Sequence, residues 1–596
     1  MGMNWVRTIF AISGVASFGL MADTLPPLVA WQGQSEQLMQ TEASTWVTPA
    51  ELSQLTDSPD YAATFAYVQK LVASSDLLAI EQFGTSPQGR AMFVVKASKQ
   101  LANMAQNANR PLLLVQAGIH SGEIDGKDAG LMLLRDIVHG DKGALLDNVD
   151  MLFVPIFSVD GHQRRSAHSR MNQRGPAIQG WRATAQNINL NRDYSKADAP
   201  EMQAMLQLIN QYDPDLYLDI HVTDGEDYQY DITYGFNHPS AAISVNSASW
   251  LSKLYRPQID LALQQAGHIP GPLVFGVDSK DFAKGLSGWT ATPRYSNGYG
   301  DVRHLPTVLV ENHSLKPYRQ RVLGTYVLLE ASLTLLNQQG KALILAKQAD
   351  QQARPKRMAL SYTANSNPVL INFKGISYQT QTSEYSGDSY VKWTGTPTLY
   401  ANLPQYWQNV VERDIVIPTA YWIPPQQQEV IQRLRTHGIK VEVIKKAQSI
   451  TAQQLTVTEH RFAKIPFESR FTIAEAEFKR EQNQQSIEPG WVRVSTDQPL
   501  GRLAVALLEP TAPDSLFNWG FMLGLFQRTE YFEPYAIEPL IKRLLEQQPE
   551  LKQQFAQALA ENSALNIDPR ARYDWFYQKL PYYDQHYLKY PILIEL

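Results

Sequence analysis

His120 and Glu123 stand three positions apart, just past the apolar run Leu112-Leu113-Leu114-Val115 and the segment Gln116-Ala117-Gly118-Ile119. Imidazole and carboxylate are the zinc ligands left to a chain without cysteine, and this chain has 0 Cys. A continuous apolar run of this kind reads as a buried strand. If the chain coils into a helix beyond Ile119, residues three apart project from one side. One strand tip would then offer half of a metal site. HxxE is also a common chance pair, and alone it reads equally well as two polar loop groups. A third protein ligand has to come from elsewhere.

The segments around this pair predict what must position it. Asp125–His139 carries an apolar stripe of Leu131, Leu134 and Val138, which predicts a helix. Leu77–Glu81 and Ala91–Ala97 read as strands around the turn-rich Gly84–Arg90. Asp150–Phe157 is another apolar run of strand length. Asp160–Ser195 is long, irregular and rich in Arg, Asn and Gln, and long irregular loops in compact domains tend to be functional. It ends in Asn189-Leu190-Asn191-Arg192, where planar donors sit beside apolar residues. Pro200–Gln211 reads as a helix, and Asp215–Val222 as a strand with His221 near its end. Trp250–Ala266 predicts a helix, Pro306–Glu311 a short buried strand ending in Glu311, and Arg319–Leu336 a long helix.

From about residue 358 the character changes. Val369–Phe373 and Tyr378–Thr382 look like strands. Ile415–Ala420, Gln426–Thr436 and Ile439–Ile444 read as one small βαβ unit. Thr451–Arg502 reads as β, and Ala536–Ala560 as helix interrupted at Pro549. The aromatic tail Tyr573–Tyr590 reads as packed core or interdomain surface. The expected division is a signal peptide over 1–22, a lead-in over 23–44, a catalytic domain over 45–340, a linker over 341–360 and a C-terminal α+β accessory region over 361–596.

At 596 residues the chain exceeds one ordinary core, so more than one domain is expected. With 44% hydrophobic and 19% charged residues it reads as a globular protein. A net charge of −5 without a basic run gives no reason to expect nucleic-acid binding. Arg7 is the one charged side chain before Asp23, and the run Thr8–Met21 between them is too short to span a bilayer comfortably. With Ala22 available for cleavage it reads as a signal peptide, so the expected location is periplasmic or secreted. An uncleaved anchor is the lesser alternative.

HxxE after a strand, Asn-Arg after a long basic loop, His at a strand end and Glu at a later strand end come in a particular order. Over roughly residues 45–340 this order resembles the zinc metallocarboxypeptidases, the relatives of carboxypeptidases A and B. Gly84-Thr85-Ser86 with Gly89-Arg90 looks like that family's entry into its second strand. The resemblance implies an α/β fold with a mixed central sheet flanked by helices on both faces, and one Zn2+ per chain, held by His120, Glu123 and His221. It implies Glu311 as general base, and Asn191 with Arg192 as the holder of a peptide's free terminal carboxylate. It also implies an arginine that stabilises the oxyanion: Arg170 is the first choice, with Arg174 and Arg182 as alternatives. The family's mobile tyrosine is Tyr295 or Tyr299, with Tyr295 preferred. The sequence after Glu311, Asn312-His313, departs from the usual pattern, and the residue that sets side-chain preference has no match. The activity expected is hydrolysis of a peptide's C-terminal bond. An amidase of the same fold, acting on cell-wall peptides or N-acyl amino acids, is the first alternative. A degenerate domain that only binds peptides is the second.

Overall fold

The apolar run before His120 becomes a strand near the middle of an eight-stranded sheet. In this computed structural model, residues 24–41, 43–104, 109–273 and 275–596 are described; the expected signal peptide lies outside them. The strands are β1 (Leu78–Thr85), β2 (Ala91–Ala97), β3 (Leu112–Ala117), β4 (Asp150–Val154), β5 (Leu216–Val222), β6 (Ile232–Gly235), β7 (Pro270–Pro272), β8 (Phe275–Gly276), β9 (Leu286–Gly288) and β10 (Thr307–Asn312). The large sheet runs β1-β2-β4-β3-β5-β10-β6-β7. Its centre, β4-β3-β5-β10, is parallel, while β1-β2, β2-β4 and β10-β6 are antiparallel. The sheet is therefore mixed, as expected. Every residue of β3, β4 and β5 is buried, which is why the stretches of β3 and β4 read as apolar runs.

Helices cover both faces. The helix Asp125–His139 lies on the face that carries Phe153 and Ile220. Gly130 allows the approach, since a Cβ there would sit 2.3 Å from the Phe153 ring. Helices Tyr61–Val72 and Tyr318–Gln352 share this face, through Phe65 against Phe93 at 4.7 Å and Gly324 against Ile232. The opposite face, which carries Thr307, Leu309 and Glu311, meets the helix Ser296–Arg303, where Gly300 abuts Thr307. Two-residue alternation along a strand therefore decides which face a side chain joins. Asp219 and His221 share one face and Ile220 takes the other.

Tyr318–Gln352 is a single helix of 35 residues, so it fills most of the segment read as a linker. The second half is built around two long antiparallel ribbons. Val369–Thr382 pairs with Ser389–Val416, and Gln448–Phe462 pairs with Ile473–Ile487. Val369–Phe373 and Tyr378–Thr382 are thus one strand rather than two. The expected βαβ unit forms with its first strand at Ala420–Ile423 rather than Ile415–Ala420, followed by Gln428–Thr436 and Glu442–Val443, and Val492–Ser495 lies between its strands, antiparallel to both. The aromatic tail packs: Phe576, Tyr577 and Leu580 form a small core with Phe532, Ile537 and Leu544. The halves also share a core, since Tyr421, Val430, Leu434 and Leu503 belong to the same buried cluster as β3 and β5. Strand β9 pairs in parallel with Gln405–Trp407. No helix among the described residues is long and apolar enough to cross a membrane.

Candidate active site

The parallel strands β3, β5 and β10 end side by side. In open α/β sheets, sites form at the carboxyl ends of such strands. Past Ala117 the chain turns at Gly118, whose φ of 68° suits glycine. The next residues make a turn, with the Glu123 N–H donating to the His120 carbonyl at 2.9 Å, and the helix begins only at Asp125. The His120 and Glu123 side chains therefore meet through a turn, not through the helical spacing expected. Buried Arg321 holds the helix start, its Nε donating to Asp125 at 3.0 Å. On the neighbouring strands, register pairs Glu311 with His221.

His120, Glu123 and His221 are all buried, and their ligand atoms lie within 4.8 Å of one another. His120 Nδ1 is 3.0 Å from Glu123 Oε1, and His221 Nδ1 is 3.0 Å from Glu123 Oε2. The other ring nitrogens face pure acceptors. His120 Nε2 is 2.9 Å from Asn189 Oδ1, and His221 Nε2 is 2.9 Å from Asp219 Oδ2. Each Nε2 is therefore the donor, which in the neutral ring leaves the Nδ1 lone pair aimed at the Glu123 carboxylate. Two lone pairs facing a carboxylate repel unless a cation or protons lie between them. Two imidazoles, one carboxylate and a tautomer lock on each ring match the donor set and outer shell of a zinc site. The residues fit the ion that the sequence implied.

The titration shifts reflect this crowding. Burial outweighs the attraction of Glu123 and pulls His120 down to about 4. Burial also disfavours the charged form of His221, but Asp219, Glu123 and Glu311 together hold it well above the usual histidine range. Burial raises Glu311 to about 8 against the charge of His221, with Glu123, Asp219 and Asp224 pushing the same way. Its Oε2 is buried without a hydrogen-bond partner among the described residues. A site with surplus carboxylate and an orphaned acceptor is one that a divalent cation and a polar ligand would balance.

A cavity of about 530 Å³ opens over this cluster, lined in part by His120, Glu123, His221 and Glu311. Asn191 and Arg192 line it too, on the short helical turn Leu190–Arg192 that Asn189 caps by accepting from the Asn191 N–H at 3.0 Å. Tyr295 also lines it, with the Arg192 guanidinium 4.5 Å over its ring. Tyr299 is buried elsewhere, 3.0 Å from His437 Nδ1. The arginines part company. Arg170, 8% exposed, donates to Glu123 Oε1 at 2.7 Å and is not among the cavity-lining residues. Arg174 bonds backbone carbonyls of Leu315 and Pro26. Arg182, 40% exposed and 3.3 Å from Glu123, lines the cavity. His313 turns to Asp227 at 3.1 Å and packs on Tyr228.

Sequence reasoning missed Asn189, Asp219 and Trp289, whose ring meets Tyr295 edge-on at 4.7 Å. Asp219 had a signal, since it precedes His221 by two on one strand and so shares its face. Asn189 had a weaker one, its place at the head of the Asn-Leu-Asn-Arg turn. Trp289 had none, because its position depends on strand β9 joining the C-terminal ribbon.

Residues 64–260 match a family model described as zinc carboxypeptidase. The chain is 22% identical to carboxypeptidase 2 of Trichophyton rubrum over 475 residues, covering 76% of this chain and 82% of that one. It is 23% identical to a probable carboxypeptidase 2 of Arthroderma benhamiae over 496 residues, covering 79% and 88%. Among solved structures, carboxypeptidase A of Helicoverpa armigera aligns over 53% of this chain and 80% of that one, at 18% identity and a TM-score of 0.37. Residues 64–260 thus carry the zinc carboxypeptidase match, in the part of the chain where the order of residues showed the resemblance. The matched segment ends before Tyr295 and Glu311, so those two rest on geometry.

Asp219 also accepts from Gln116 Nε2 at 2.7 Å, which fixes its carboxylate. Asp219→Ala is expected to weaken zinc retention about 10–100-fold, read by competition with a chelator. Unchanged retention would show that the lock on His221 is idle.

Proposed function

We propose that this protein removes the C-terminal residue from peptides with a free terminal carboxylate, using one zinc ion held by His120, Glu123 and His221. The observation that carries this reading is the convergence of both Nδ1 atoms on Glu123, with Glu311 beside them in one cavity. When bound there, zinc would supply Lewis acidity toward water and the scissile carbonyl.

The remaining roles fall to side chains of this chain. Asn191 and Arg192 hold the terminal carboxylate; both line the cavity, the planar fork of Arg192 suits bidentate binding, and the Asn191 side-chain amide offers an N–H donor beside it. Tyr295, resting under Arg192, closes over the bound residue. Glu311 takes a proton from the attacking water and passes it to the leaving amine. Arg182 faces the developing oxyanion, because it carries its charge into the cavity. Arg170 serves the site differently, by fixing the Glu123 carboxylate from behind. Residues 45–340 form the catalytic unit in this reading, and 361–596 an accessory region that closes one flank.

Glu311→Gln is expected to keep zinc and lose turnover by at least about 100-fold, in line with general-base contributions. Near-normal turnover in that variant would remove Glu311 from the chemistry. The two arginines are expected to separate. Arg182→Ala should lower kcat by roughly 100-fold with zinc retained, as for a lost oxyanion donor. Arg170→Ala should chiefly loosen zinc, and the reverse pattern would exchange their roles.

A further inference from the structure

The ribbon of Gln448–Phe462 and Ile473–Ile487 ends in a loop that reaches back to the catalytic half. Its tip closes tightly, with Phe467 and Arg470 exchanging backbone hydrogen bonds of 2.9 and 3.0 Å. Between them Glu468 and Ser469 both sit in the left-handed region, with φ of 48° and 69°. Residues with side chains avoid that region unless their surroundings fix them there.

The surroundings do fix them. Arg470 bonds Asp198 at 2.6 and 2.8 Å and Glu429 at 2.8 Å, with its guanidinium 3.7 Å over the Phe521 ring. Phe467 lies parallel to Trp519, and the Arg294 guanidinium stacks over both rings. Arg294, the neighbour of Tyr295, is itself held by Asp514 at 2.6 Å.

What this anchored tip presents is the Glu468 carboxylate. Its Oε2 accepts from the Asn189 backbone N–H at 3.2 Å. Asn189 Oδ1 in turn faces His120 Nε2 at 2.9 Å and accepts from the Asn191 N–H at 3.0 Å. One carboxylate from the accessory region thus pins the residue that orients a zinc ligand and starts the Asn191-Arg192 turn. Glu468 is not among the cavity-lining residues, so it acts through Asn189 rather than on substrate. Its negative charge also favours the cationic form of Arg192, which burial opposes.

We propose that Glu468 is a positioning residue of this active site, through which the accessory region sets the orientation of His120 and the register of the carboxylate clamp. The clamp part rests on the carboxypeptidase reading above; the His120 part does not. The test compares wild type with Glu468→Ala and Glu468→Gln, measuring zinc affinity against a chelator, KM and kcat for a free-carboxylate peptide, and melting temperature. Glu468→Ala is expected to weaken zinc binding and raise KM, each about tenfold, with the melting temperature nearly unchanged. Glu468→Gln is expected to recover most of both, since the amide oxygen accepts from the same N–H. An alanine variant matching wild type in both readouts would overturn the proposal. So would a glutamine variant as impaired as alanine, which would mean that charge alone matters. If the wild type cleaves no peptide, the functional reading fails, while zinc affinity still decides the link from Glu468 to His120.

Discussion

The site depends on a constraint that acts on two protons. Each imidazole must give its Nε2 proton to an acceptor, Asn189 for His120 and Asp219 for His221. Only then do both Nδ1 lone pairs point at Glu123. A ring free to flip would present an N–H in place of a lone pair, and the three groups would cease to be a ligand set. The parallel strands serve this constraint by ending together. Alternation along β5 puts Asp219 and His221 on one face, and the pairing of β5 with β10 lays Glu311 beside His221.

Holding four ionisable side chains in a buried cluster is unfavourable, and the structure shows how that cost is met. Burial opposes charge on Glu123, but His120, Arg170 and His221 hold its carboxylate well below the usual range, and Arg182 and the Val222 N–H donate to it as well. Glu311 lacks such donors, and burial beside other acids raises it. Two carboxylates in one cavity thus differ because one is surrounded by cations and the other is not. In the proposed reading that difference separates a ligand from a base.

Much of the catalytic half was legible, because its signals are local. The strand before His120 declared itself by continuous burial, and Asp125–His139 by its stripe. The order of His, Asn-Arg, His and Glu pointed to a family, and the family fixed residue numbers. The failures have a common cause. The choice among Arg170, Arg174 and Arg182 depends on how a long loop without periodicity folds over the cluster. The 35-residue helix through the presumed linker is held by partners distant in sequence, Gly340 against Pro111 and Lys347 on the Asp213 and Pro214 carbonyls. Trp289 and Glu468 reach the site only because distant ribbons pair with it, and nothing local records that. The second half was therefore the less legible one, and it shares a core with the first.

The most direct test is a panel of peptides identical except at the last residue, each with a free or an amidated C-terminus, assayed alongside zinc content. About one zinc per chain, with release of the last residue from free-carboxylate peptides and not from amidated ones, is the predicted result. Equal cleavage of both forms would contradict the carboxylate clamp. Absence of zinc after metal-replete preparation would contradict the ligand set on which the whole account stands.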